Sequence, residues 1–291
     1  MNCQRIGLIG HPLSHTMSPF IHKNLFAISG IEYSYEIFDV PKLLPVTSDL
    51  KKLDGYNITI PYKEKIIEFL DEIDIQAKAC GSVNTVSRRD GRMLGYTTDG
   101  IGCMKALSDA GIAPGGSILM LGNGGAARAI SFALAELPGV RSITIICRSS
   151  SAEKAARLKN DLETFLRAQT LSASVLLSSY EALCSSECGA DRNYDLLVNA
   201  TSVGMYPKCG AIPVGRDIIE SCRAVFDAVY NPVETELLRA ARAAGIPTVN
   251  GIGMLVYQAA AAHEIWYNAV FKAEDLADIC RRTEAEISKG G

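Results

Sequence analysis

The two halves of the chain carry different patterns of apolar and polar positions. In the first half, short apolar runs are broken by turn residues. Ile6-Gly7-Leu8-Ile9 reads as a buried strand closed by Gly10-His11-Pro12, and Tyr33 to Val40 alternates as a second strand would. Asp54-Gly55 reads as a turn, followed by a strand, Tyr56-Asn57-Ile58-Thr59-Ile60, that Pro61 stops. Val83 to Val86 and Met93 to Tyr96 flank Arg89-Asp90-Gly91, which predicts a hairpin. A helix is expected near Ser18-Pro19, with Ser18 as N-cap and Pro19 in the first position, where its missing N–H costs nothing. Lys63 to Leu70 and about Gly100 to Ala110 read as two further helices. Gly111 and Pro114-Gly115-Gly116 then break the chain.

The second half opens with a fully apolar strand, Ser117 to Leu121, followed by the glycine-rich stretch Gly122 to Arg128 and an apolar helical run to Leu137. Ile143 to Cys147, Leu196 to Asn199 and Ala224 to Asp227 read as further strands. Strands alternating with helices imply a parallel, doubly wound sheet. The expected fold is therefore α/β with two domains: an N-terminal α/β domain over residues 1–101 and a Rossmann-like domain over 102–237. A C-terminal segment, 238–291, contains a long apolar helix from Met254 to Val270 that partly returns to the first domain.

Composition narrows the class. The 291 residues are 48% apolar, enough for a packed core, and no uninterrupted apolar run reaches the length of a membrane span. Apolar strand follows directly on Met1-Asn2-Cys3-Gln4-Arg5, so no signal peptide is expected. A net charge of −3 favours neither nucleic acid nor an anionic membrane as partner. The nine cysteines are scattered, with Cys184 and Cys188 the closest pair, and are expected to be reduced thiols in a cytoplasmic protein. The four histidines show no metal-ligand spacing, so no catalytic metal is expected.

A strand, a glycine-rich turn and a helix in that order make an anion site, because the helix N-terminus offers unpaired N–H groups and a positive dipole. Gly122, Gly124 and Gly125 stand between that strand and helix. Ala127 takes the place of the third glycine in the full dinucleotide pattern. A NAD site normally has an acid at the end of the second strand. Here Cys147-Arg148-Ser149-Ser150-Ser151 supplies none, and Arg148 with its serines suits a 2′-phosphate. The expected cofactor is NADP, with NAD allowed. Carbonyl reduction also needs a proton donor, and Lys63 and Asp99, each just past a strand end, are candidates by residue type.

The chain resembles the shikimate dehydrogenase family along nearly its full length. Gly10 to Pro19 looks like the family's opening motif, G-x-P-x-x-H-S-x-S-P. Gly55 to Lys63 is similar to G-x-N-V-T-x-P-x-K, Ser82 to Thr85 to A-V-N-T, and Thr98-Asp99-Gly100 to the core of G-x-N-T-D-G. Gly122 to Ala129 is similar to G-A-G-G-A-A-R-A, and Asn199 to Met205 to N-A-T-S-x-G-M. Tyr230-Asn231-Pro232 with Thr235, and Gly251 to Ala260, match Y-N-P-x-x-T and G-x-G-M-L-V-x-Q-A-A. Eight segments in the family's order argue against coincidence.

The resemblance implies roles. Lys63 and Asp99 would be the catalytic pair. Thr16 and Ser18 would bond the substrate carboxylate, while Asn57, Thr59, Asn84, Tyr230 and Gln258 would meet the ring hydroxyls. Gly122, Asn123, Gly124, Gly125, Ala126, Arg148, Ser149, Thr201, Ala228, Gly251 and Met254 would contact the cofactor, the last two near the nicotinamide. The implied activity is NADPH-dependent reduction of 3-dehydroshikimate to shikimate in aromatic amino-acid biosynthesis, with no nucleic-acid or membrane partner and a homodimer allowed. Thr16, Thr97 and Cys147 depart from the family's serine, asparagine and asparagine. Ala152 stands where some members have a second basic residue, which leaves the 2′-phosphate mainly to Arg148. A quinate/shikimate enzyme using NAD or both cofactors is the alternative, and a non-catalytic binding relative a further one. His15 is expected to shape the substrate loop, and His263, Trp266 and Tyr267 to be packed.

Overall fold

The computed structural model describes residues 3–14, 16–184 and 193–289. Its first part contains β1 (Gln4–Gly10), α1 (Ser18–Ser29), β2 (Tyr33–Asp39), α2 (Thr47–Leu50), β3 (Gly55–Ile58), β4 (Glu72–Ile73), α3 (Ile75–Cys80), β5 (Thr85–Arg89) and β6 (Arg92–Tyr96). These strands form one mixed sheet in the order β2-β1-β3-β5-β6-β4. β1 runs parallel to β2 and β3, whereas β5 is antiparallel to β3 and β6. The β5–β6 hairpin turns on Asp90 and Gly91, at φ 51° and 77°. Two successive positive φ values match strand twist, and glycine adopts such a value without strain.

α4 (Asp99–Asp109) leads into the second part: β7 (Gly116–Leu121), α5 (Gly125–Ala135), β8 (Val140–Cys147), α6 (Ala152–Ala168), β9 (Ser174–Ser179), α7 (Tyr180–Cys184), β10 (Leu196–Asn199), α8 (Arg216–Glu220), β11 (Val225–Asp227), α9 (Glu236–Ala243) and β12 (Thr248–Val249). This sheet is parallel throughout, in the order β12-β11-β10-β7-β8-β9. The order reverses at β7, so a crevice opens beyond its C-terminal end, where ligands bind in doubly wound sheets. The glycine-rich turn follows β7 directly. The fold is the expected α/β class, with a mixed first sheet and a parallel second sheet.

α10 (Gly251–Tyr267) and α11 (Ala273–Lys289) close the chain. α10 lies against α4 and α1, and its Trp266 Nε1 donates to the Val86 carbonyl of β5 at 2.9 Å. Gly102 makes the α4–α10 contact close: a Cβ there would stand 2.5 Å from the Met254 oxygen and 3.0 Å from the Gln258 nitrogen. One apolar core runs from Ile21 and Leu25 of α1 through Leu107 of α4 and Val256 of α10 to the second sheet.

Several expected boundaries move. Met17, not Ser18, is the N-cap of α1, and Ser18 is its first helical residue. Lys63 to Leu70 is no α-helix: a 3-10 turn occupies Lys65–Phe69, and its C-terminal residue Leu70 is extended. β3 ends at Ile58, short of the expected strand, because Thr59 and Ile60 turn to bond Ile9 and His11 across the strand end. The apolar helix spans Gly251 to Tyr267 rather than Met254 to Val270, capped by the Asn250 side chain and ended by Asn268 in the left-handed region. His15 and Cys188 lie outside the described residues. No described helix is long and apolar enough to cross a membrane.

Candidate active site

A cavity of about 400 Å³ lies between the two sheets and is lined by residues from both. Strand ends deliver its polar groups. β3 carries Asn57 on the strand and Thr59 just beyond it, and Lys63 follows after Pro61 and Tyr62. α4 begins at Asp99, so that carboxylate sits at a helix N-terminus.

Lys63 Nζ lies 2.6 Å from Asp99 Oδ2, and the two side chains are 14% and 5% exposed. The other carboxylate oxygen, Oδ1, accepts from Asn84 Nδ2 at 3.0 Å. Asn84 Nδ2 also lies 2.9 Å from Thr98 Oγ1 and 3.1 Å from Gln258 Oε1, while Asn84 Oδ1 accepts from the Thr98 backbone at 2.8 Å. Asn84 is 1% exposed and stands behind the cavity rather than in its lining. It orients Asp99 and Gln258, which do line it. A charge-assisted pair shielded this well holds its geometry before any ligand arrives.

On the opposite wall, burial raises the Tyr230 hydroxyl, and bonds from the Met17 backbone and the Thr16 side chain oppose that rise. Thr16 thus braces Tyr230 and also accepts from the Ser18 amide at 3.3 Å; it is not in the lining, whereas Ser18 is. The loop carrying Ala228 and Tyr230 hangs from one buried carboxylate. Asp227 accepts from Asn199 Nδ2 at 2.9 Å, the Val229 amide at 3.0 Å and Thr235 Oγ1 at 2.6 Å. Burial pushes its carboxyl up to about 6 against these bonds.

The glycines of the turn after β7 serve different ends. Gly122 has φ 109°, and a Cβ there would meet the Ala200 oxygen at 3.0 Å, so this position turns the chain. Gly124 caps α5 with no side-chain hydrogen bond and faces open space in the cavity. Gly125 faces the other domain: a Cβ there would stand 2.8 Å from Ser82 Oγ and 2.9 Å from Lys63 Cβ. That glycine lets the lysine's loop rest on the dinucleotide turn. The uncapped start of α5, opening on the cavity beside Ala126, fits a pyrophosphate.

The expected cofactor residues divide. Gly124, Gly125, Ala126, Thr201, Ala228, Gly251 and Met254 line the cavity. Asn123 instead ties the turn to the Ser151 carbonyl at 3.0 Å, and Arg148 and Ser149 stand exposed past β8 outside the lining. The second basic position also moves. Ser149–Ser151 form a 3-10 turn that delays α6, so Ala152 is exposed while Lys154 reaches the cavity and pairs with Glu64 Oε1 at 2.5 Å. Reading from the sequence missed Lys154 and Glu64. The serine run was the available signal, since three serines after a strand favour a turn over an immediate helix.

Residues 8–86 match the family model of the shikimate dehydrogenase substrate binding domain. The shikimate dehydrogenase (NADP(+)) of Methanococcus maripaludis strain C6 is 42% identical over 267 residues, covering 90% of each chain. This chain belongs to the shikimate dehydrogenase family. Two solved members share its fold. Shikimate 5-dehydrogenase of Thermus thermophilus, in complex with NADP(H) and shikimate, is 32% identical with a TM-score of 0.80, covering 96% of this chain and 99% of that one. The Listeria monocytogenes enzyme, in complex with shikimate and NAD, is 33% identical with a TM-score of 0.80, covering 95% and 96%.

Proposed function

We propose that the chain catalyses the reversible, NADP-dependent interconversion of 3-dehydroshikimate and shikimate, with Lys63 and Asp99 handling the proton. The observation that carries this reading is the shielded 2.6 Å ion pair in a cavity that also contains the uncapped start of α5. The nicotinamide, when bound, supplies or takes the hydride at C3. In reduction, the Lys63 ammonium gives a proton to the former carbonyl oxygen and is recharged from solvent. Asp99 keeps that ammonium aimed, and Asn84 keeps Asp99 aimed in turn.

The remaining assignments follow the cavity walls. Ser18, braced by Thr16, serves the substrate carboxylate. Asn57, Thr59, Tyr230 and Gln258 serve the ring hydroxyls, and Asn84 acts through its neighbours. Gly124, Gly125 and Ala126 receive the pyrophosphate, Thr201, Ala228, Gly251 and Met254 border the nicotinamide end, and Arg148 and Ser149 receive the 2′-phosphate. The proposed division is 1–101 for substrate, 102–237 for cofactor, and 238–291 as a segment spanning both. Cys3, Cys80, Cys103, Cys147, Cys209, Cys222 and Cys280 are free thiols, which suits a cytoplasmic location. The alternative based on quinate is not favoured, since the curated relatives carry the name shikimate dehydrogenase (NADP(+)).

A four-way assay pairing shikimate or quinate with NADP or NAD tests the reading. Shikimate with NADP is expected to give the highest kcat/KM. A tenfold preference for quinate, about 1.4 kcal/mol in transition-state binding, would overturn it. Light scattering on the purified chain tests a homodimer.

A further inference from the structure

The cavity contains charges to which the proposed reaction gives no task. Its described lining includes Lys63, Glu64, Asp99 and Lys154. These cancel in two pairs, Lys63 with Asp99, and Lys154 Nζ with Glu64 Oε1 at 2.5 Å. The pairs differ in shielding. The side chains of Lys63 and Asp99 are 14% and 5% exposed, those of Lys154 and Glu64 36% and 38%. A part-exposed ion pair contributes little net stability, so the second pair can exchange partners at small cost.

That second pair borders the glycine turn after β7 from both sides. Glu64 directly follows Lys63, whose Cβ lies only 2.9 Å from where a Cβ on Gly125 would stand. On the other side, Asn123 Nδ2 donates to the Ser151 carbonyl at 3.0 Å, and this bond draws the first turn of α6, with Lys154, toward the same glycines. The ion pair closes the circle between the two parts of the chain. It shares the cavity wall with Gly124, Gly125 and Ala126, where α5 begins without a side-chain cap. A phosphate arriving there finds the nearby ammonium already taken and a carboxylate beside it.

We propose that Glu64 sets the affinity for the dinucleotide by competing with a cofactor phosphate for Lys154: the pair is closed in the free protein and opens when the phosphate takes the ammonium. The inference rests on the reading of the turn after β7 as the cofactor site. A lysine suits such an exchange, being a point charge on a flexible stem. Carboxylate and phosphate do not share it freely, because like charges held close together in a cleft repel. Opening the pair therefore costs part of the binding free energy. The carboxylate weakens the hold on the cofactor and eases its release after turnover.

Titration calorimetry on the full chain without substrate tests this, with NADP and separately with NAD, on wild type, Glu64→Gln, Lys154→Gln and the double variant. Glu64→Gln keeps the size of the side chain and is expected to lower the Kd for NADP about fivefold, the upper range for a part-exposed pair. Lys154→Gln is expected to raise that Kd about fivefold, by loss of a charge-assisted bond to phosphate. In the Lys154→Gln background, Glu64→Gln is expected to change the Kd by less than about twofold, since no ammonium remains to compete for. A Kd that is unchanged or raised in Glu64→Gln overturns the inference. So does equal tightening with and without Lys154, which is plain repulsion by the carboxylate. If the wild type binds neither dinucleotide, the reading of the turn fails and takes the inference with it. The two cofactors locate the phosphate: tightening with NADP and NAD alike places Lys154 on the pyrophosphate, tightening with NADP alone on the 2′-phosphate, and either outcome supports the competition.

Discussion

The two ends of the cavity are built on opposite plans. Around Lys63 and Asp99 the polar side chains from Asn84 through Thr98 to Gln258 are shielded and bonded to one another. Past β8, Arg148 and Ser149 stand in solvent. The difference follows from what each end does. A group that moves a proton gains from fixed geometry and low local dielectric, since neither has to be rearranged during the reaction. A group that only adds affinity can wait in water and order itself on the ligand.

Five changes break or sharpen that comparison. The largest effect is expected at the shielded end: Lys63→Ala should lower kcat about 10³-fold, the range for removing a general acid–base, with little change in cofactor affinity. A loss seen only in the KM for NADP would erase the distinction between the ends. The two neighbouring glycines come next. Gly125→Ala puts a methyl 2.9 Å from Lys63 Cβ and 2.8 Å from Ser82 Oγ, so the lysine's loop must shift. It should lower kcat about 30-fold through misplacement of the proton donor. Gly124→Ala meets open space, has φ −81° and should leave kcat unchanged while raising the KM for NADP, because the methyl enters the phosphate's approach. Equal effects of the two alanines on kcat would contradict their different facings.

At the open end, Arg148→Ala should raise the KM for NADP about tenfold and leave that for NAD unchanged, as expected for one exposed charge on a phosphate. Retention of NADP affinity in that variant would shift the 2′-phosphate to Lys154. The smallest effect is on stability. His22 and His263 bind protons less well folded than unfolded. The unfolded chain therefore takes up more protons in acid. Their contribution is complete above the unfolded value near 6.5 and declines as pH falls below it, by about 1.4 kcal/mol per pH unit for each ring. Thermal melts from pH 7 to 5 should show a falling Tm, and His263→Phe should flatten the slope. A slope unchanged in that variant would show that other groups carry it.

Legibility from the sequence varies with the range of the interaction. The β5–β6 hairpin is readable because Asp90-Gly91 is a local demand for positive φ. The strand, glycine turn and α5 are readable because phosphate binding needs small residues at one place in the chain. Lys63 and Asp99 become candidates mainly through family resemblance, since a lysine and an aspartate 36 positions apart carry no spacing signal. Lys154 escapes the sequence because the 3-10 turn of Ser149–Ser151 sets which side of α6 faces the cavity. Asn84 reads as a substrate contact and sits one layer behind, a distinction of depth that no pattern along the chain encodes.

What the sequence settled by itself is most of the strands, the α/β class and the phosphate turn, each fixed by neighbours a few residues apart. Only the tertiary structure decided that Gly125 serves the lysine's loop, that Lys154 rather than Ala152 faces the cavity, and that His22 and His263, from opposite ends of the chain, meet in the core. Those outcomes depend on how close two backbones approach, which is set by the summed packing of both sheets and α10.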